Sequence, residues 1–121
     1  MTFSLIALIA ALAACGLGLG FLFAGPFMLK QWGLETPLAA AVLSRRTGAI
    51  YLGIAALLFL IRSDPATPAA NAVSIGLATA IGLLAILGLT ELKSGRVSAG
   101  ILVAVTVEVL LTAGFLSTLW A

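Results

Sequence analysis

The sequence has no histidine, a single cysteine and very little charge. Without histidine, the commonest haem and zinc ligand is missing, and so is the usual proton carrier near neutral pH. Cys15 alone cannot close an intrachain disulfide or form a CxxC centre. Charged residues make up 8% of 121 positions, against about 25% in an average soluble domain. A soluble globule would lack the charge to cover its surface, and a disordered tail would be polar and charge-rich. No basic cluster is long enough to track a phosphate backbone, so nucleic acid is not expected as a partner. No carboxylate cluster could hold a metal, and the polar groups are too few to assemble a catalytic constellation. The expectation is therefore no catalytic residue, no cofactor and no metal.

What is present is apolar. Hydrophobic residues are 63% of the chain, and the mean hydropathy is +1.29. That combination specifies an integral membrane protein. A helix needs about 20 apolar residues to cross a hydrocarbon core about 30 Å thick. Charge-free runs at Met1–Leu29, Thr47–Ile61 and Pro65–Thr90, and one from Val97 to the end broken only by Glu108, supply four spans. The second run is short and must borrow from Pro37–Arg46. The expected helices cover about 3–25, 38–61, 69–89 and 97–119 in a single domain, 1–121. The first should stop near Gly25-Pro26, because proline ends helices. The linkers agree: Arg62–Pro68 carries two prolines, and Gly95 in Glu91–Arg96 suits a left-handed turn. Trp32 and Trp120 should sit at headgroup level. Each span must satisfy its own backbone, and continuous apolar runs such as Ile54–Ile61 lack the alternation of a β-barrel. The fold class is all-α, an integral membrane four-helix up-and-down bundle.

Lys30, Arg45, Arg46, Lys93 and Arg96 fall on the first and third links, and only Arg62 on the other side. The positive-inside bias puts those two links in the cytoplasm and both termini outside it. Leu12-Ala13-Ala14-Cys15 matches a lipoprotein cleavage box. However, no Lys or Arg precedes it and the sequence stays apolar to Leu29, which favours an ordinary spanning helix.

Between lipid tails, helices associate through small residues that let backbones approach. The first helix carries two such stripes, Ala14–Gly18 and Gly16–Gly20. The third carries Ala72–Gly76–Ala80 and Ala78–Gly82, the second Ala49–Gly53, and the fourth Gly100–Ala104 continuing into Glu108 and Thr112. Most of this packs the bundle internally. A stripe left over, with the first helix the best candidate, would serve a homodimer or a larger membrane complex.

Glu108 is the most informative residue. It lies about 16 Å into the fourth span, where a charged carboxylate costs about 2.5–3.5 kcal/mol. Its stripe faces protein, so it is either neutral or paired. Two roles are open: a proton-carrying or ligand-contacting carboxylate, or a carboxyl hydrogen-bonded to a neighbouring helix. Arg45 and Arg46 lie about 10–12 Å into the second helix if it starts near Leu38. One of them could pair with Glu108, or both could snorkel to lipid headgroups. Tyr51 offers a hydroxyl inside the second span that is expected to bond a neighbouring backbone, and the Ser and Thr hydroxyls of the third and fourth are expected on their own backbone.

The stretch Ser44-Arg45-Arg46-Thr47-Gly48-Ala49-Ile50-Tyr51-Leu52-Gly53, followed by an apolar run, resembles the start of the second helix in small bacterial four-helix membrane proteins of unknown function, loosely the DoxX-like group. The resemblance implies a bacterial inner-membrane protein, and no catalytic residue is carried over from it. Length and helix count are also similar to small multidrug-resistance transporters. Those hold an essential glutamate in the first helix, whereas the first helix here is uncharged and the carboxylate is Glu108 in the fourth. The leading expectation is a non-enzymatic membrane protein in contact with lipid, either a structural or accessory subunit or a binder of a small hydrophobic ligand. The alternative is a small proton-coupled transporter exchanging protons at Glu108.

Overall fold

A computed structural model describes residues 2–63 and 67–119. Four helices account for nearly all of them: α1 (Phe3–Lys30), α2 (Leu38–Ile61), α3 (Pro68–Lys93) and α4 (Ile101–Thr118). Among the described residues there is no strand. Trp120 and the Asp64-Pro65-Ala66 part of the second link lie outside the described residues.

Local chemistry sets the helix ends. The Thr2 hydroxyl accepts from the Leu5 amide at 3.3 Å, and Thr67 caps Ala70 in the same way at 3.1 Å, with Pro68 opening α3. At the other end, α1 and α3 stop in the same glycine motif. Leu34 N donates to Leu29 O and Gly33 N to Lys30 O; Arg96 N donates to Glu91 O and Gly95 N to Leu92 O. Gly33 and Gly95 supply the positive φ, +74° and +79°, that this motif requires.

The expected and observed spans differ at three ends. α1 does not stop at Gly25-Pro26; it bends at Ala24 (φ −136°, ψ 35°) and continues to Lys30. Pro26 has no amide hydrogen, and its ring would strike the Leu22 carbonyl of a straight helix. The bend removes that clash, so the helix resumes. α3 reaches Lys93, past the charge-free run. Charge ends a hydrophobic stretch, not a helix. α4 starts at Ile101 because the segment before it belongs to the link: Ser98 N donates to Trp32 O at 2.8 Å, and Ser98 Oγ to Gln31 O at 3.3 Å. A side chain on Gly100 would run into the Gln31 carbonyl, so the first and third links lie backbone against side-chain-free backbone.

The helices pack as two antiparallel hairpins, α1 with α2 and α3 with α4, and the hairpins meet where α1 lies against α4. Buried positions recur at steps of three, four and seven residues: Ser44, Gly48, Ala55 and Leu58 in α2, and Ala70, Ser74, Ala78, Ala85 and Gly88 in α3. This is the spacing of a coiled-coil-like seam. One core cluster gathers Phe3, Ile6, Leu58, Ala70, Leu111 and Phe115 from all four helices. A second, at the opposite end, joins Ala85, Val97, Ile101 and Val105, with Trp32, Leu34 and Leu92 packed on it. Trp32 is therefore partly buried against this cluster.

The surface carries larger apolar side chains than most of the interior. Buried positions are dominated by Ala, Gly and Ser, while Phe23 (78% exposed), Val103 (74%) and Leu60 (73%) point outward. In water this arrangement would be inverted; in lipid it costs nothing, and small residues inside permit close packing. Each helix is long and apolar enough to span a membrane. The shortest, α4, has 18 residues, about 27 Å. The protein is a multi-pass membrane four-helix bundle.

Candidate functional site

Ile101, Glu108 and Phe115 are seven residues apart on α4, and the outer two are buried. Glu108 therefore sits on the inward seam, between Val105 of one core cluster and Leu111 of the other. It is half-buried. Its backbone carbonyl accepts from Thr112 Oγ1 at 2.7 Å. Its carboxylate has no hydrogen-bond or ion-pair partner among the described residues, and its oxygens are not sealed off.

A polar group of another helix that interacts electrostatically with Glu108 is on α2. Tyr51 continues the seam Ser44–Gly48–Tyr51–Ala55–Leu58, and its hydroxyl lies within electrostatic range of Glu108. The Tyr51 ring stacks on Phe21 (centroids 6.2 Å, planes 10° apart), and Phe21 meets Trp32 edge-on at 6.2 Å. This aromatic file holds the phenol in place from α1. The phenol does not bond a neighbouring backbone carbonyl among the described residues; stacking, not hydrogen bonding, orients it. α2 and α4 belong to different hairpins, so the electrostatic interaction of Glu108 with Tyr51 spans the two.

Arg45 and Arg46 are exposed on α2 and make no ion pair with Glu108. α2 is continuous from Leu38, so its seam turns Ser44 and Gly48 inward and leaves the two arginines on the other side. Arg45 lines a groove of about 380 Å³ beside the α1 bend, with Leu22, Phe23, Pro26, Ala41 and Ser44. The remaining hydroxyls mostly follow expectation: Thr79, Thr106, Thr112 and Ser117 donate to their own helix. Ser74 is the exception. It is fully buried and bonds Thr118 of α4 at 3.1 Å.

Among the glycines marked for packing, Gly18 and Gly82 meet a partner helix and Gly100 meets the first link. Gly20 meets only Met28 of its own bent helix. Gly16 and Gly76 have open space where a side chain would be, as does Gly53, so the stripes Gly16–Gly20, Ala72–Gly76–Ala80 and Ala49–Gly53 do not hold the chain together. Adjacent stripes on one helix cannot both face the same neighbour. The contact residue of α2 is Gly48, with Ser44, and the serine was masked in the sequence by the arginines beside it. No protein-family model, curated protein or solved structure matches the chain.

Proposed function

We propose that this is a non-enzymatic inner-membrane protein that binds a small, membrane-soluble ligand between its two hairpins. The ligand carries a polar head that hydrogen-bonds Glu108 and Tyr51. The observation that carries this reading is the unpartnered Glu108 carboxylate on an inward seam, beside a phenol fixed by stacking. A carboxyl group kept only to tie helices together would be hydrogen-bonded to one of them. Binding pockets pair apolar walls with a few placed polar groups, and this pair answers to that description. The charge bias supports a topology with the first and third links in the cytoplasm and both termini outside.

Dicyclohexylcarbodiimide tests the reading, because it reaches carboxyl groups through apolar surroundings. In membranes it should add one label per chain at Glu108, and Glu108→Gln should abolish it. Glu35 and Glu91, in the linking end, should react instead with a water-soluble carbodiimide. An unlabelled Glu108 in folded protein would contradict an open site. The same free carboxylate favours a second reading, proton-coupled transport. Vesicles loaded with a pH-sensitive dye separate the two: proton movement lost in Glu108→Gln supports transport, and no movement in the wild type removes it.

A further inference from the structure

The groove beside the α1 bend is not part of the Glu108 site, and its chemistry is different. Its walls are Leu22, Phe23 and Pro26 of α1 and Ala41 of α2; Ser44 lies at its floor and Arg45 at its rim. At the bend Gly25 still packs on Ser44, where an added Cβ would lie 2.5 Å from the Ser44 hydroxyl, and the groove lies beside that contact. The Arg45 guanidinium has no anionic partner among the described residues, nor has that of the next residue, Arg46. α2 begins at Leu38, so Arg45 lies about 10 Å along the helix. Leu38 (82% exposed) and Leu43 (63%) flank it with lipid-facing surface. An anionic headgroup would complement this cation, and an acyl chain would complement the apolar groove beside it.

We propose that this groove is a binding site for one anionic phospholipid, with its phosphate on Arg45 and an acyl chain against Leu22, Phe23 and Pro26. Charge complementarity selects the headgroup, and the apolar walls select a lipid over a free anion. The end of the bundle holding Arg45 also holds Lys30, Lys93 and Arg96, which favours an anionic leaflet. Arg46 lies outside the groove and contributes only general attraction. The site does not depend on Glu108.

The test uses the full chain reconstituted in vesicles of equal phosphatidylglycerol and phosphatidylcholine. The protein is released into detergent, and bound lipid is counted by native mass spectrometry. Wild type should retain one phosphatidylglycerol in preference to phosphatidylcholine. Arg45→Gln should lower that preference roughly five-fold, and Arg45→Lys should keep most of it. Arg46→Gln should lower it less. Ala41→Leu, which fills the groove and leaves both arginines in place, should also release the lipid. Circular dichroism checks that each variant is helical. Equal losses in Arg45→Gln and Arg46→Gln, with Ala41→Leu unaffected, would mean diffuse surface charge and overturn the proposal. Displacement of the lipid by inorganic phosphate would overturn it too, by making the groove a free-anion site.

Discussion

The two hairpins are built alike at their ends and differently along their seams. Each opens on a threonine cap, and the first helix of each closes on a left-handed glycine. Along α1–α2, however, backbone meets backbone. A Cβ on Gly48 would lie 2.7 Å from both the Gly18 carbonyl oxygen and the Leu22 nitrogen. Along α3–α4, backbone meets side chain. A Cβ on Gly88 would lie 2.7 Å from a Val105 methyl, and one on Gly82 only 3.5 Å from Thr112. Two ways of joining membrane helices thus coexist in one chain. Backbone contact brings helices closest and leaves nothing that can yield. Side-chain contact leaves a group that can.

The first way to break the comparison is Gly48→Ala, with the largest expected effect. Its added methyl has only backbone to displace, so α1 and α2 must separate. Overpacking of this kind costs about 3 kcal/mol or more. Unfolding in mixed detergent micelles should show it as a large drop in midpoint. Gly18→Ala should cost less, because two of its three closest neighbours are atoms of the Leu52 side chain. A Gly48→Ala protein as stable as wild type would mean that the backbone contact does not hold the hairpin.

Much of this architecture is legible in the sequence. α2 runs over the expected 38–61, because Pro37 and Arg62 mark both ends of an apolar stretch. Glu108 is half-buried, as are Ala104 and Thr112 on its stripe. What was not legible has physical causes. A proline reads as a stop, but a single non-helical residue, Ala24, let α1 continue beyond it. Two small-residue stripes one position apart are equivalent by spacing, so Ala49–Gly53 stood in for Ser44–Gly48. The nearness of Tyr51 to Glu108 depends on how one hairpin is set against the other, which no local pattern encodes. The aromatic file from Tyr51 through Phe21 to Trp32 likewise joins α1, α2 and the first link. Gly33 and Gly95 each follow a helix end with positive φ, but only Gly95 lies in a short polar link whose composition announces a turn.

Gly88→Ala sharpens the contrast at intermediate size. The atom in its way is a Val105 methyl, with Ile101 atoms at 3.9 Å behind it. Valine is stiff in a helix because one rotamer dominates, so relief requires a small shift of α4 and not a simple rotation. A loss of about 1–2 kcal/mol is expected. The double variant Gly88→Ala with Val105→Ala should recover part of it, since the second change removes the obstructing group. No such rescue is available to Gly48→Ala, whose obstruction is main chain. Recovery in the first case and none in the second is the pattern that separates the two kinds of seam.

The smallest effect belongs to Gly82→Ala and Gly76→Ala, and it tests the same idea from the other side. At Gly82 the new methyl would touch Thr112 at an ordinary contact distance, and at Gly76 it would meet nothing within the chain. Neither position has a positive φ, so alanine carries no backbone strain. Alanine favours a helix over glycine by up to about 1 kcal/mol. Both variants should therefore be neutral or slightly more stable, with Gly82→Ala adding a little contact to α4. A marked loss at Gly76→Ala in dilute detergent, where chains are separate, would mean that α3 uses that face within the chain. A loss that appears only at high protein density in lipid would instead come from contact between chains. The same substitution thus distinguishes a seam inside the bundle from one outside it, and it does so without altering either hairpin.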